Sequence, residues 1–161
     1  MKIGIISDTH DHIPNLKKAL DLFRLQGVRT ILHAGDLCSP FMVPPFEGFG
    51  LHAVFGNNDG DHYRILQKMD DVDGTHHGEF CSLVIDGRRI AMYHGTQPEI
   101  TDALVKCGTY DLVISGHTHE AVTRKEAETQ FVNPGSAHGF DGKATVALFD
   151  TQTQKIEIME L

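Results

Sequence analysis

Seven side chains in this sequence could hold metal ions through oxygen or nitrogen: Asp8, His10, Asp36, Asn57, His94, His117 and His119. They fall in five short stretches, Ser7-Asp8-Thr9-His10, Gly35-Asp36, Gly56-Asn57-Asn58-Asp59, His94-Gly95 and Gly116-His117-Thr118-His119. Carboxylate, amide and imidazole donors without a thiolate suit Mn²⁺, Fe²⁺, Zn²⁺, Co²⁺ or Ni²⁺ better than Cu⁺ or an all-oxygen calcium cage. The set exceeds what one ion usually takes from a protein. It matches two ions that share a carboxylate and keep positions open for water and substrate. Taken singly, each stretch has an ordinary reading as a cap, a turn, an exposed pair of histidines or half of a structural zinc site. The weight lies in the ordered set of five.

Short apolar strands must deliver these groups. Lys2 to Ile6, Thr30 to His33, Leu51 to Phe55, Arg88 to Tyr93 and Asp111 to Ile114 each run into one of the five stretches, and open α/β sheets place ligands at such strand ends. Residues i and i+2 can point the same way where a strand unravels into a loop, and Gly35, Gly56, Gly95 and Gly116 free the backbone for sharp exits. Between the strands, Pro14 followed by Leu16, Ala19, Leu20 and Phe23 up to Gly27 predicts an amphipathic helix. Asp61 to Met69 and Pro98 to Val105 read as further helices, the latter with Ile100, Ala103 and Leu104 toward the core. Phe80 to Ile85 and Arg88 to Tyr93 flank Asp86-Gly87, a type I′ hairpin signal. After His119 only strands are expected: Ala121 to Lys125, Gln130 to Val132, Ala144 to Phe149 and Ile156 to Met159. The predicted fold class is α/β, two packed mixed β-sheets flanked by helices, as one domain spanning residues 1–161.

The ordered motifs resemble the calcineurin-like metallophosphoesterase superfamily, whose pattern is Asp-x-His, Gly-Asp, Gly-Asn-x-Asp, Gly-His or His-Gly, and Gly-His-x-His. Asn133-Pro134-Gly135-Ser136 further resembles its small bacterial and archaeal phosphodiesterase branch, to which the metallophosphoesterase-like retromer subunit is related. The resemblance implies a four-layer αββα sandwich. It also implies that Asp8, His10 and His119 hold one divalent ion, that Asn57, His94 and His117 hold the other, and that Asp36 bridges. Mn²⁺ is the first expectation, with Ni²⁺, Zn²⁺, Fe²⁺ or Co²⁺ as alternatives. Two such ions about 3.5–4 Å apart lower the pKa of a shared water toward about 7 and clamp a phosphoryl group, so a bridging hydroxide attacking a small phosphodiester in line is the expected reaction. Many relatives carry His directly after the motif Asn, as an acid for the leaving group. Here that residue is Asn58, which cannot donate a proton as an acid. His12, His62 and His138 are the remaining candidates, and Asp59 is expected to orient a ligand imidazole. The Pro-Arg that many relatives carry after this Ser is absent after Ser136, so no phosphate-gripping Arg is assigned. Asp36, Asn57, Asn58, Asp59 and His94 form the expected catalytic group. A binding or scaffold module is the alternative reading.

Composition bounds the rest. A formal charge of −8, the absence of Trp and no basic stripe disfavour nucleic acid as a partner. No apolar segment reaches the length of a membrane span, so a cytoplasmic protein without a membrane partner is expected. Cys38, Cys81 and Cys107 form no Cys-x-x-Cys pair and are read as buried reduced thiols. His33, His52, His76 and His77 match no motif and are read as surface or core-edge residues. Phe41, Met42, Val43, Phe46 and Phe49 lie in a Pro/Gly-rich loop or broken helix and are read as a packing lid; exposed, they would form a homodimer face or a pocket wall.

Overall fold

Ile3 and Ile5 point to one side of β1 (Lys2–Ile6) and Gly4 and Ile6 to the other, and all four are buried. A strand apolar on both faces must be covered on both. In the computed structural model, which describes residues 1–140 and 142–161, it is an interior strand of a mixed six-stranded sheet. β2 (Thr30–His33), β3 (Gly50–Ala53) and the two-residue β4 (Thr75–His76) continue this sheet in parallel on one side. β10 (Thr145–Asp150) and β11 (Ile156–Glu160) extend it antiparallel on the other, with β10 paired to β1. A second, five-stranded sheet has the order β5 (Phe80–Ile85), β6 (Arg88–Tyr93), β7 (Leu112–Ile114), β9 (Thr129–Pro134), β8 (Ala121–Glu126). In it β6, β7 and β9 run parallel, with antiparallel partners at both edges.

The helices are α1 (Ile13–Leu25), α2 (His62–Asp71) and α3 (Pro98–Lys106). Leu16, Ala19, Leu20 and Phe23 of α1 join Ile6, Ile31 and Leu51 in a first core against the outer face of the six-stranded sheet. Gly4 is needed there: a side chain on it would press on the Phe23 ring at 3.0 Å. Ile3, Ile5, Leu32, Ile90, Met92, Leu112, Ile114, Ala147 and Phe149 form a second core between the sheets. Ala91, Val105, Val113 and Phe131 form a third beneath α3. Three cores separate four layers, helix, sheet, sheet, helix, as the alternation of inward faces requires.

Departures from expectation are local. On α3, Leu104 packs partly buried against the third core as expected, but Thr101 and Val105 are buried whereas Ile100 and Ala103 are exposed, so the inward face is rotated from the expected one. β4 has no apolar run and was not anticipated. In the Pro-rich segment two single 3₁₀ turns, Pro40–Met42 and Pro44–Phe46, bury Met42, Val43, Phe46 and Phe49 in the first core and leave only Phe41 of the cluster exposed. Of the cysteines only Cys81 is buried; Cys38 is half-buried and Cys107 exposed, which corrects the uniform reading of buried thiols. No helix among the described residues is long and apolar enough to cross a membrane.

Candidate metal centre

The C-terminal ends of β1, β2 and β3 and of β6 and β7 meet along one rim, where both sheets contribute side chains. Asp8, His10, Asp36, Asn57, His94, His117 and His119 are all brought there. The backbone bends hard to present them. Asp8, His10, Asp36, His117 and His119 have φ of 53°, 39°, 61°, 70° and 62°, a left-handed region that side chains other than Gly occupy at a cost of about 1–2 kcal/mol each. Main-chain bonds hold these bends: Asp8 N–H donates to Gly35 O at 3.0 Å, and Thr9 and His10 N–H both donate to Asp36 O.

The glycines serve in two ways. Gly35 and Gly95 adopt positive φ. Gly56 and Gly116 do not, and are needed for space: a Cβ on Gly56 would fall on Asp36, and one on Gly116 would fall on Ser7 and Asp8.

Asp8 and Asp36 are buried. Burial pushes both carboxyls up, but neighbouring side chains outweigh it and hold both below the usual range: His10 and Ser7 for Asp8, His94 and Asn58 for Asp36. Asn58 grips Asp36 twice, its N–H on Oδ1 and its Nδ2 on Oδ2, each at 2.8 Å. Burial pulls the His94 imidazole down, and Asp36 beside it carries it above its ordinary value. The Asp8 carboxylate likewise raises His10.

The donor set fits divalent cations. His94 Nδ1 lies 2.8 Å from Ala34 O, and because a carbonyl can only accept, the proton sits on Nδ1. Its Nε2, which carries the lone pair in the neutral imidazole, lies 3.1 Å from Asn57 Oδ1 and 3.4 Å from Asp36 Oδ2. His117 packs its ring edge to face against His94. On the other side Asp8 Oδ1 lies 3.3 Å from His119 Nε2 and 3.7 Å from His10 Nε2, which is 3.4 Å from Asp36 Oδ2. Asp8 Oδ1 and His10 Nε2 are buried and make no hydrogen bond. Buried polar atoms without partners cost about 1–3 kcal/mol each, and a cation between them removes that cost.

Two side chains, Asp59 and His33, and one main-chain carbonyl, that of Ala34, take places the sequence did not indicate. Asp59 orients no imidazole: its oxygens accept backbone N–H from Asp36, Cys38 and Gly56 at 2.7–3.1 Å, fixing the left-handed turn that carries Asp36. The imidazole partner of His94 is instead the Ala34 carbonyl, a main-chain atom that leaves no sequence signal. His33, read as a surface or core-edge residue, is fully buried. Its Nδ1 accepts the Gly35 N–H, so Nε2–H points to Thr9 Oγ1 at 3.2 Å, and that hydroxyl donates to Asp36 O. The chain of bonds clamps the Asp8 and Asp36 loops together.

The weak proton-donor candidates separate. His12 caps α1 by accepting Asn15 N–H, and His62 stacks on Phe55. His138 is buried with its ring centre 4.7 Å from His10 and 4.8 Å from His119, and its Nδ1 accepts Phe140 N–H. Asn133 braces the loop that carries His117 and His119, donating to Gly116 O and Thr118 Oγ1.

Acidic, amide and imidazole groups gathered where two packed sheets meet define the class: the chain belongs to the calcineurin-like phosphoesterase superfamily, whose domain pattern matches residues 1–154. It is 36% identical over 159 residues to Phosphodiesterase MJ0936 of Methanocaldococcus jannaschii, covering 96% of each chain. The solved structure of a novel archaeal phosphodiesterase matches with a TM-score of 0.95 at 36% identity, covering 100% of both chains. Vps29 of Entamoeba histolytica, solved with Zn²⁺, matches with a TM-score of 0.68 at 18% identity over 100% of this chain and 98% of that one, a likeness of fold alone. The family implies divalent metal ions.

Proposed function

We propose that this chain is a metal-dependent phosphodiesterase acting on a small phosphodiester. Asp8, His10 and His119 would hold one divalent ion, Asn57, His94 and His117 a second, and Asp36 both, with Mn²⁺ the first choice of metal. When bound, such ions activate water and neutralise charge on the phosphoryl group. The protein's own part is preorganisation. Ala34 O fixes the neutral His94 tautomer with Nε2 turned to the site, Asn58 keeps Asp36 ionised, and Asp59 with the His33 and Thr9 chain holds the bends rigid. Dipoles and charges set in advance need no reorganisation as charge develops. Asn58, unable to act as an acid, favours diesters whose leaving groups need less protonation over monoesters.

The observation that carries this reading is the convergence of Asp8 Oδ1, His10 Nε2 and Asp36 Oδ2, with the buried Asp8 Oδ1 and His10 Nε2 left without hydrogen-bond partners. The family relation and the name of the archaeal phosphodiesterase support it, whereas the scaffold alternative has only a likeness of fold behind it. The test is metal content and bis(p-nitrophenyl) phosphate hydrolysis on chelated protein reloaded with Mn²⁺, Ni²⁺, Zn²⁺ or Mg²⁺, compared with Asp36→Ala. Two ions per chain are expected in the parent protein, fewer in the variant, and a fall in turnover of about a thousandfold or more on losing the shared ligand. Undiminished turnover in Asp36→Ala would rule the bridging role out.

A further inference from the structure

Beside Asn57 the surface opens into a cleft of about 340 Å³, with Phe55, His62, Glu79, Tyr93 and Ile100 among its walls. One wall is a stack of rings. The His62 and His76 ring centres each lie 3.8 Å from that of Phe55, with interplanar angles of 14° and 38°. Two rings that close to one centroid would overlap on a single face, so they must lie on opposite faces of Phe55. His76 is half-buried at the inner end and His62 is exposed at the outer end. Tyr93 and Gln97 also line the cleft, tied together by the Tyr93 hydroxyl, which accepts Gln97 N–H at 3.1 Å. No lysine or arginine lines the cleft among the described residues, and Glu79 does. Such a wall repels a second phosphate and attracts a flat uncharged group, because a ring laid on a ring gains dispersion and quadrupole attraction with little entropy to lose.

We infer that this cleft, with His62 as its stacking platform, binds a flat, uncharged ring on the phosphodiester substrate, of aryl or nucleobase type, and selects against further phosphates. The inference rests on the phosphodiesterase reading and adds the substrate class. His62 then acts by stacking, as a specificity-determining residue, and its ring nitrogens are dispensable.

The test uses Mn²⁺-loaded protein and two non-hydrolysable probes, phenylphosphonate and cyclohexylphosphonate, compared at a pH high enough that both are dianions. Each is measured as an inhibitor of bis(p-nitrophenyl) phosphate hydrolysis and, on protein loaded instead with diamagnetic Zn²⁺, as a ligand by proton NMR. Phenylphosphonate is expected to bind about tenfold tighter, at the lower end of what ring stacking supplies, with its ring protons moved upfield on binding. His62→Ala should cancel the preference and His62→Phe should keep it. Equal affinity for the two probes, a preference that survives His62→Ala, or one lost in His62→Phe overturns the stacking subsite and leaves the esterase reading standing. No binding of either probe together with no turnover overturns the esterase reading, and the subsite falls with it.

Discussion

Burial of the His33 imidazole fixes its charge as well as its place. Removal from water pushes its pKa from 6.5 down to about 3, so it stays neutral in the folded protein and can serve as a link between Gly35 N–H and Thr9 Oγ1. The unfolded chain takes up this proton near pH 6.5, whereas the folded one resists it until about pH 3. The unfolded state therefore binds more protons between these values, and stability falls as pH falls through that window. The contribution of this one group approaches a tenfold loss in the folding equilibrium constant per pH unit. Urea unfolding of chelated protein between pH 6.5 and 4.5 should carry this slope, with His76, lowered to about 4, adding to it, His10 and His94, raised, opposing it, and Asp8 and Asp36 contributing only as pH falls toward 3.8 and below. His33→Gln, which cannot titrate, should show a shallower one. Equal slopes in the two proteins would mean that His33 does not hold the neutral link.

The elements differ in how far they could be read from sequence. Helix α1 and the β5 to β6 hairpin follow from contacts a few residues apart, and the core residues of α1 and the positive φ of both Asp86 and Gly87 match expectation. The phase of α3 matches only at Leu104, because Ile100, Ala103, Leu104 and Val105 lie around more than one side of a nine-residue helix and do not fix a face. β4 owes its existence to pairing with β3, and the placement of β10 beside β1 joins distant parts of the chain. The seven ligand-type residues were legible because their chemistry is unusual and ordered. The roles of Asp59 and His33 were not, since they depend on which backbone N–H each meets across the fold. Gly116 shows how such contacts act at the level of elements. Its backbone lets the loop after β7 lie on the end of β1, and a Cβ there would approach Asp8 Oδ2 to 2.5 Å. Gly116→Ala is expected to lose about 1–3 kcal/mol in urea unfolding and to weaken metal binding measured by equilibrium dialysis. Gly50→Ala, whose nearest neighbour would be 3.6 Å away, should stay within about 0.5 kcal/mol. Equal effects in the two variants would contradict the close approach of the sheets at Gly116.

At the scale of the whole molecule, one sheet carries Asp8, His10, Asp36 and Asn57 at its rim and the other carries His94, His117 and His119. Ions bound by this set would tie the two sheets together. Saturating Mn²⁺ is then expected to stabilise chelated protein by about 4 kcal/mol at a thousand times the dissociation constant, and to slow amide exchange in β1 and β2 as well as in β6 and β7. Protection confined to one sheet would argue against a shared centre. The pairing of β10 with β1 extends this to the time course of synthesis. His119, the last of the seven, emerges from the ribosome before β10, while the strand that delivers Asp8 still lacks its inner neighbour. A nascent chain thus holds every donor before β1 is flanked on both sides, and metal capture by this set would favour chains in which β10 has already docked.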